Sequence, residues 1–228
     1  GLLKEDELTP IVWCSWENKV DYGKQYDNRL KVLRLAYKRF EGGAAFDAFC
    51  KENETWLPDF ALFMALKAQH EGKPWYQWSD DLKFRRHAAM EEAWQTLAEE
   101  VRFYCFVQYL FFTQWTALRA YAHKNGIRII GDVPIYVPID SVEVWCEPSV
   151  FQLDENLDPI AVAGCPPDYF SEDGQLWGNP LYNWKRMREN SFAWWQRRME
   201  YMLTLFDGVR IDHFRGLESY FSIPRGAK

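Results

Sequence analysis

Two short β-branched runs, each ending at an aspartate, restrict the folds open to this chain. The first run spans 127–131 and is followed by Asp132, and the second spans 209–212 and ends at Asp212. The apolar residues of 195–206, between the two runs, have helical spacing. Strand, helix and strand in this order form the crossover unit of a parallel sheet. The second half of the chain is therefore predicted to belong to the α/β class.

The first half of the chain has a different pattern. Its apolar residues recur at intervals of three and four, as on the buried face of a helix, for example at Leu30, Leu33, Tyr37 and Phe40. We therefore predict a mostly helical subdomain over 1–115. Over 116–228 we predict the α/β segment, with strand 127–131, a long loop 139–184 in which a site is expected, and strand 209–212.

Charge and motif content exclude several classes of function. The chain has 27 basic and 33 acidic residues and a net charge of −6, so nucleic-acid binding is not expected. The richest apolar run, 103–115, is shorter than the roughly 20 residues that cross a membrane. The sequence contains no HExxH, P-loop, GxGxxG or GxSxG motif, which argues against zinc and dinucleotide enzymes.

The number and spacing of the cysteines indicate a reducing cellular compartment. The five cysteines are widely spaced, include no CxxC pair and form no metal-binding pattern with the four histidines. We predict free, mostly buried thiols, no metal site and a cytoplasmic location.

The end of the second run carries a possible nucleophile. Side chains alternate along a strand, so Arg210 and Asp212 point to the same face, and active sites lie at the C-terminal ends of parallel strands. A cation beside a carboxylate lowers the pKa of the carboxyl group and keeps it ionised, as a nucleophile requires. A structural ion pair is the alternative, and Asp132 could equally be a turn residue. His213, next to Asp212, could donate a hydrogen bond to a bound hydroxyl.

The 139–184 loop contains a second set of candidates. It mixes rigid, aromatic and polar residues, a composition that suits a sugar subsite with a ring for the apolar face and polar groups for hydroxyls. The alternative for Trp177 is a place in the core. The candidates in this loop are Asp168, Gln175, Trp177 and Asn179.

Three motifs, in this order, give the chain a specific resemblance. They read IRIIGDVPIYV over 127–137, PPDYFS and QLWGNPLY over 166–182, and VRIDHFRG over 209–216. These segments resemble the 4-alpha-glucanotransferases, or amylomaltases, of glycoside hydrolase family 77. The resemblance implies an α/β fold that is part of a TIM (β/α)8 barrel with a large all-helical insertion, present here as an incomplete fragment. It makes 116–228 a partial (β/α) barrel segment and 139–184 its substrate loop.

The resemblance also implies an activity. Enzymes of this family transfer segments of α-1,4-glucan between malto-oligosaccharides, which serve as donor and acceptor. The reaction is a retaining double displacement through a covalent glycosyl-enzyme intermediate and uses no cofactor. The alternatives are an α-glucan hydrolase and a non-catalytic glucan-binding module.

The same resemblance assigns roles to residues of this chain. Asp212 matches the nucleophile, and Arg210 matches the residue that assists it. The implied substrate-binding residues are Asp132, His213, Asp168, Gln175, Trp177 and Asn179. The family's acid/base glutamate and its second aspartate are expected beyond Lys228, so residues 1–228 alone are expected to be inactive.

Overall fold

The chain has an α/β fold in two compact units. A computed structural model describes residues 1–16, 18–169 and 171–227. The first unit comprises Gly1–Ala65 and Ala93–Thr113, and the second comprises Leu66–Glu92 and Gln114–Lys228. Residues 66–92 therefore lie in the same unit as the strands, although the sequence places them in a helical subdomain over 1–115. That boundary stays a prediction.

The helices and strands of the described residues are numbered separately, each in chain order. The α-helices are α1 (Glu5–Leu8), α2 (Tyr22–Tyr37), α3 (Ala44–Glu52), α4 (Leu57–Gln69), α5 (Asp80–Lys83), α6 (His87–Thr96), α7 (Ala98–Lys124), α8 (Val142–Cys146), α9 (Trp184–Glu189) and α10 (Ala193–Leu205). The strands are β1 (Ile130–Pro134), β2 (Ala161–Cys165), β3 (Gln175–Pro180), β4 (Gly208–Asp212) and β5 (Phe221–Pro224). Short 3-10 helices lie at Trp75–Gln77, Pro148–Val150 and Phe214–Leu217.

Aromatic side chains form much of the core of the first unit. The ring of Tyr37 on α2 meets Phe103 on α7 edge-on, with centroids 5.4 Å apart. Phe46 on α3 meets Tyr109 in the same way at 5.6 Å. Edge-to-face pairs of this kind stabilise helix packing beyond the area they bury. In this unit, the high aromatic content of the chain therefore serves packing.

The second unit contains two sheets. Strands β1 and β4 are parallel, and β3, β2 and β5 form an antiparallel sheet in that order. The sequence predicts the first strand over 127–131, but the structure places β1 three residues later. Pairing starts at Ile130 because its partner Gly208 opens β4. Ile129 is held instead by Asp207, whose carboxylate accepts from the Ile129 amide.

The segment 139–184, expected to be one long irregular loop, contains helix α8 and strands β2 and β3. The prediction missed β2 because this strand has few β-branched residues. The surroundings of Gly164 show why small residues are needed here. A Cβ at this position would lie 2.3 Å from both the Gln175 carbonyl oxygen and Ile223 Cδ1. A strand crowded on both sides needs small residues, which carry little strand signal.

Asp207, directly before β4, contacts helix α7 and the residue before β1. Its carboxylate accepts from the Ile129 amide at 2.9 Å and from Arg119 Nη2 at 2.6 Å, and His123 Nε2 lies 2.8 Å away. These hydrogen bonds, led by that of the Ile129 amide, hold the pKa of Asp207 far below its usual range. The side chain is only 13% exposed, so little water replaces a lost partner.

Replacing Asp207 by asparagine is expected to lower the melting temperature by several degrees at pH 7, because an amide cannot accept from all three donors. A depressed folded-state pKa stabilises the fold above about pH 4, and this contribution is lost as the pH falls below that value. The difference from the unmodified chain should therefore shrink in acid. Thermal melts at pH 7 and pH 3 test this prediction, with Asp27→Asn on the exposed face of α2 as control. An equal melting temperature for both variants at pH 7 would contradict it.

Two further observations concern the described residues. No helix among them is long and apolar enough to cross a membrane. The five cysteines, all among the described residues, form no disulfide, and each is half-buried where deeper burial was expected.

Candidate active site

Three charged side chains share the open face of the β1–β4 pair. The parallel register places Asp132 opposite Arg210 and Pro134 opposite Asp212. Alternate residues point to the same side of a strand, so Asp132, Arg210 and Asp212 all project from this face. Their side chains are 58%, 63% and 61% exposed, which leaves them accessible to a ligand.

Arg210 bridges the two aspartates. Its Nη2 donates to Asp212 Oδ1 at 2.6 Å, and its Nε lies 3.5 Å from Asp132 Oδ1. The sequence predicted Arg210 beside Asp212, and the structure adds that the same guanidinium also faces Asp132. One cation therefore serves two carboxylates on neighbouring strands.

Arg210 favours the ionised form of Asp212. The hydrogen bond from Arg210 is the main cause that holds the pKa of Asp212 below its ordinary value. The carboxylate in turn raises the pKa of Arg210. The contact thus favours the ionised carboxylate, the form that a nucleophile needs, and extends its range further into acid.

The residue after Asp212 turns the chain towards the second sheet. His213 has a left-handed backbone conformation, with φ of 52°. Its ring meets the Trp177 indole edge-on, with centroids 5.0 Å apart. This contact brings Trp177, on β3, beside the end of β4. The indole is 37% exposed, so part of it is open to solvent.

The two amide candidates on β3 support this arrangement. Gln175 accepts from Trp177 Nε1 at 2.8 Å and so orients the indole. Asn179 donates to the Val137 carbonyl at 3.0 Å and ties β3 to the segment after β1. The structure shows these two hydrogen bonds, and direct contact of either residue with a sugar stays a prediction.

Asp168 shapes the turn before β3. Its carboxylate accepts from the Ser171 amide at 2.9 Å. Tyr169, which follows it, is 97% exposed and was not selected from the sequence, although its motif was. Its place directly after Asp168 in the second motif was the available sequence signal. Phe170, part of the same motif, lies outside the described residues.

Tyr136 is a second residue that sequence reasoning did not select. Its ring lies 6.3 Å from the ring of Trp177 and stacks on Tyr182 at 5.8 Å. Burial raises its pKa to about 12, and its hydroxyl has no hydrogen-bond partner among the residues that the structure describes. The ring supports Trp177 from the core side. Its position in the first motif, two residues after Pro134, was the available signal.

In 1–16, 18–169 and 171–227, no three His, Cys, Asp or Glu side chains come together as metal ligands.

Comparison with known proteins decides the family. The family model described as 4-alpha-glucanotransferase matches residues 1–228. The chain belongs to this family. The resemblance inferred from the three motifs is thereby confirmed.

Relatives of this 4-alpha-glucanotransferase family member are much longer. The chain is 51% identical over 214 residues to the 4-alpha-glucanotransferase of Thermus thermophilus, covering 91% of this chain and 43% of the relative. It is 43% identical over 231 residues to that of Clostridium butyricum, covering 100% of this chain and 47% of the relative. The chain thus spans less than half the length of these curated relatives.

Solved structures in the same family share the fold. The amylomaltase from Streptococcus agalactiae in complex with acarbose superposes with a TM-score of 0.95 at 39% identity, over 100% of this chain and 47% of that one. The amylomaltase from Corynebacterium glutamicum gives a TM-score of 0.71 at 23% identity, over 91% and 27%, and supports the fold alone.

Proposed function

We propose that residues 1–228 work within a 4-alpha-glucanotransferase that transfers segments of α-1,4-glucan between malto-oligosaccharides. The observation that carries this proposal is the exposed Asp212 carboxylate at the end of β4, which accepts a hydrogen bond from Arg210. Family membership supports the same activity. Malto-oligosaccharides are the proposed donor and acceptor, and no cofactor is proposed.

The proposed architecture is part of a TIM (β/α)8 barrel with a large all-helical insertion over 1–115. Two features support it: β1 and β4 are parallel, and both carry an aspartate near the C-terminal end. Catalytic residues of such barrels lie at this end of the strands. A cytoplasmic location stays a prediction.

In the proposed reaction, the Asp212 carboxylate attacks the anomeric carbon of the donor and forms a glycosyl ester. The bond to the departing glucan breaks, and an acid outside residues 1–228 protonates that glucan. The conjugate base then removes a proton from an acceptor hydroxyl, which displaces Asp212 and leaves the anomeric configuration retained. Arg210 orients the Asp212 carboxylate and favours its ionised form before the attack. We propose that residues 1–228 do not transfer glucan without that acid.

The remaining candidates are proposed to bind the sugars. The exposed part of the Trp177 indole suits the apolar face of a glucose ring, and His213 beside it suits a hydroxyl. Asp132 lies on the same open face as Asp212 and is proposed to bind hydroxyls at the cleavage point. Asp168 is proposed to contribute from the turn before β3.

A digest of maltotriose tests the proposed function. We call a polypeptide of the relatives' length that contains residues 1–228 the full-length enzyme. It is expected to convert maltotriose into both longer and shorter oligosaccharides, resolved by chromatography. Steady release of reducing sugar without longer products would instead show a hydrolase. Saturable binding without any product would show a glucan-binding module.

A further inference from the structure

Arg198 on α10 contacts the backbone where β1 ends. Its Nη2 donates to the Pro134 carbonyl at 2.7 Å, and its Nη1 donates to the Ile135 carbonyl at 3.1 Å. The guanidinium also lies over the rings of Trp194 and Trp195, at 5.4 and 5.0 Å from the centroids. A planar guanidinium with two acceptors and two rings has one preferred orientation.

Tyr182 contacts the same backbone segment, just after β1, from the buried side. This side chain is fully buried, and its hydroxyl donates to the Ile135 carbonyl at 2.6 Å. The hydroxyl oxygen accepts from Arg198 Nη1 at 3.2 Å. Arg198, Tyr182 and the Ile135 carbonyl therefore form a closed triangle of hydrogen bonds.

The end of β1 needs donors from outside the sheet. Pro134 is the last residue of β1 paired with β4, and proline has no amide hydrogen to donate. Its partner Asp212 is the last residue of β4, and the chain reverses at His213. Arg198 donates to the carbonyls of both Pro134 and Ile135, and Tyr182 donates to that of Ile135, so these backbone acceptors at the end of the pair are satisfied.

We propose that Arg198 and Tyr182 are positioning residues for Asp212. They fix the end of β1, and Asp132 lies two residues before that end. Since Arg210 faces both Asp132 and Asp212, the position of β1 determines how the guanidinium meets Asp212. This inference rests on the proposed function, in which Asp212 attacks the sugar.

The test is kinetic and uses the full-length enzyme with maltotriose. In Arg198→Met, kcat is expected to fall by about 10- to 100-fold because the nucleophile is displaced, with KM within about threefold. The acid limb of the kcat/KM profile should move to higher pH, since a looser contact with Arg210 depresses the pKa of Asp212 less. Arg198→Lys, which keeps the charge and one donor, should recover part of kcat.

Arg197 supplies a matched control on the same helix. Its side chain pairs with Glu147 at the surface, with the two 54% and 44% exposed, so Arg197→Met should keep kcat within about twofold. All assays are run well below the melting temperature of each variant. If Arg198→Met does not fold, Tyr182→Phe, which removes only a hydroxyl, must shift kcat and the acid limb in the same directions.

Two results would overturn the inference. One is an unchanged kcat in the folded Arg198 or Tyr182 variants, and the other is a lower kcat with an unmoved acid limb. The unmodified enzyme and Asp212→Asn, measured in parallel, separate this failure from that of the proposed function. If the unmodified enzyme transfers glucan and Asp212→Asn does not, the proposed function stands. This holds even if the Arg198 variants have an unchanged kcat and acid limb.

Discussion

Asp212→Asn in the full-length enzyme is expected to lower kcat for maltotriose disproportionation by about 10⁴-fold or more, as loss of a covalent nucleophile typically does. An amide of nearly the same size replaces the carboxylate, so the fold should persist. The amide is a poor nucleophile and carries no charge to stabilise a developing cation at the anomeric carbon. Chromatography of timed digests measures the loss.

Asp27→Asn makes the same chemical change on an exposed helix of the first unit and serves as the control. It should disproportionate maltotriose at the unmodified rate. Equal melting temperatures for the two variants and the parent would show that the loss is chemical. If Asp212→Asn kept the parental rate, Asp212 would not be the nucleophile.

Arg210→Met should reduce kcat/KM by about 100-fold near neutral pH, because the carboxylate loses the hydrogen bond that orients it. The pH profile carries the sharper prediction. Arg210 lowers the pKa of Asp212, so its removal raises that pKa and fewer molecules are ionised in mild acid. The acid limb of kcat/KM therefore moves to higher pH.

Arg210→Lys keeps the charge but loses the planar group that meets both Asp132 and Asp212, so an intermediate acid limb is expected. Arg197→Met provides the matched loss of a surface guanidinium. An acid limb that stays in place in Arg210→Met would mean that this guanidinium does not set the ionisation of the nucleophile.

The core of the site was predictable from the sequence because it depends on local geometry. Strand alternation places Arg210 and Asp212 on one face, and their separation of two residues fixes the contact. The proximity of Asp132 to Arg210 was less accessible. It depends on the parallel register between β1 and β4, which is set by residues far apart in the chain.

Other parts of the site escaped prediction for specific physical reasons. Strand β2 lies between β3 and β5, and a side chain at Gly164 would collide with both. The strand therefore has few of the β-branched residues by which strands are recognised in a sequence. Arg198 was overlooked because helical spacing identifies the apolar stripe of α10, whereas this arginine acts through the backbone of another element. Tyr182 belongs to a recognised motif, yet only the structure shows that its hydroxyl reaches the end of β1.

The assignment of residues 66–92 to the second unit also depends on contacts between residues far apart in the sequence. Trp75 donates from its indole to the Ile139 carbonyl at 2.6 Å, and Lys67 pairs with Asp140. Both partners lie after β1, so helical periodicity alone gives no sign that this segment packs with the strands.

Mass spectrometry of the full-length enzyme, quenched during turnover of maltotriose, tests the role of Asp212 most directly. The predicted result is a peptide containing Asp212 that carries one or more glucose units, and no such adduct in Asp212→Asn. A sugar attached to a different side chain would contradict the assignment of Asp212 as the nucleophile.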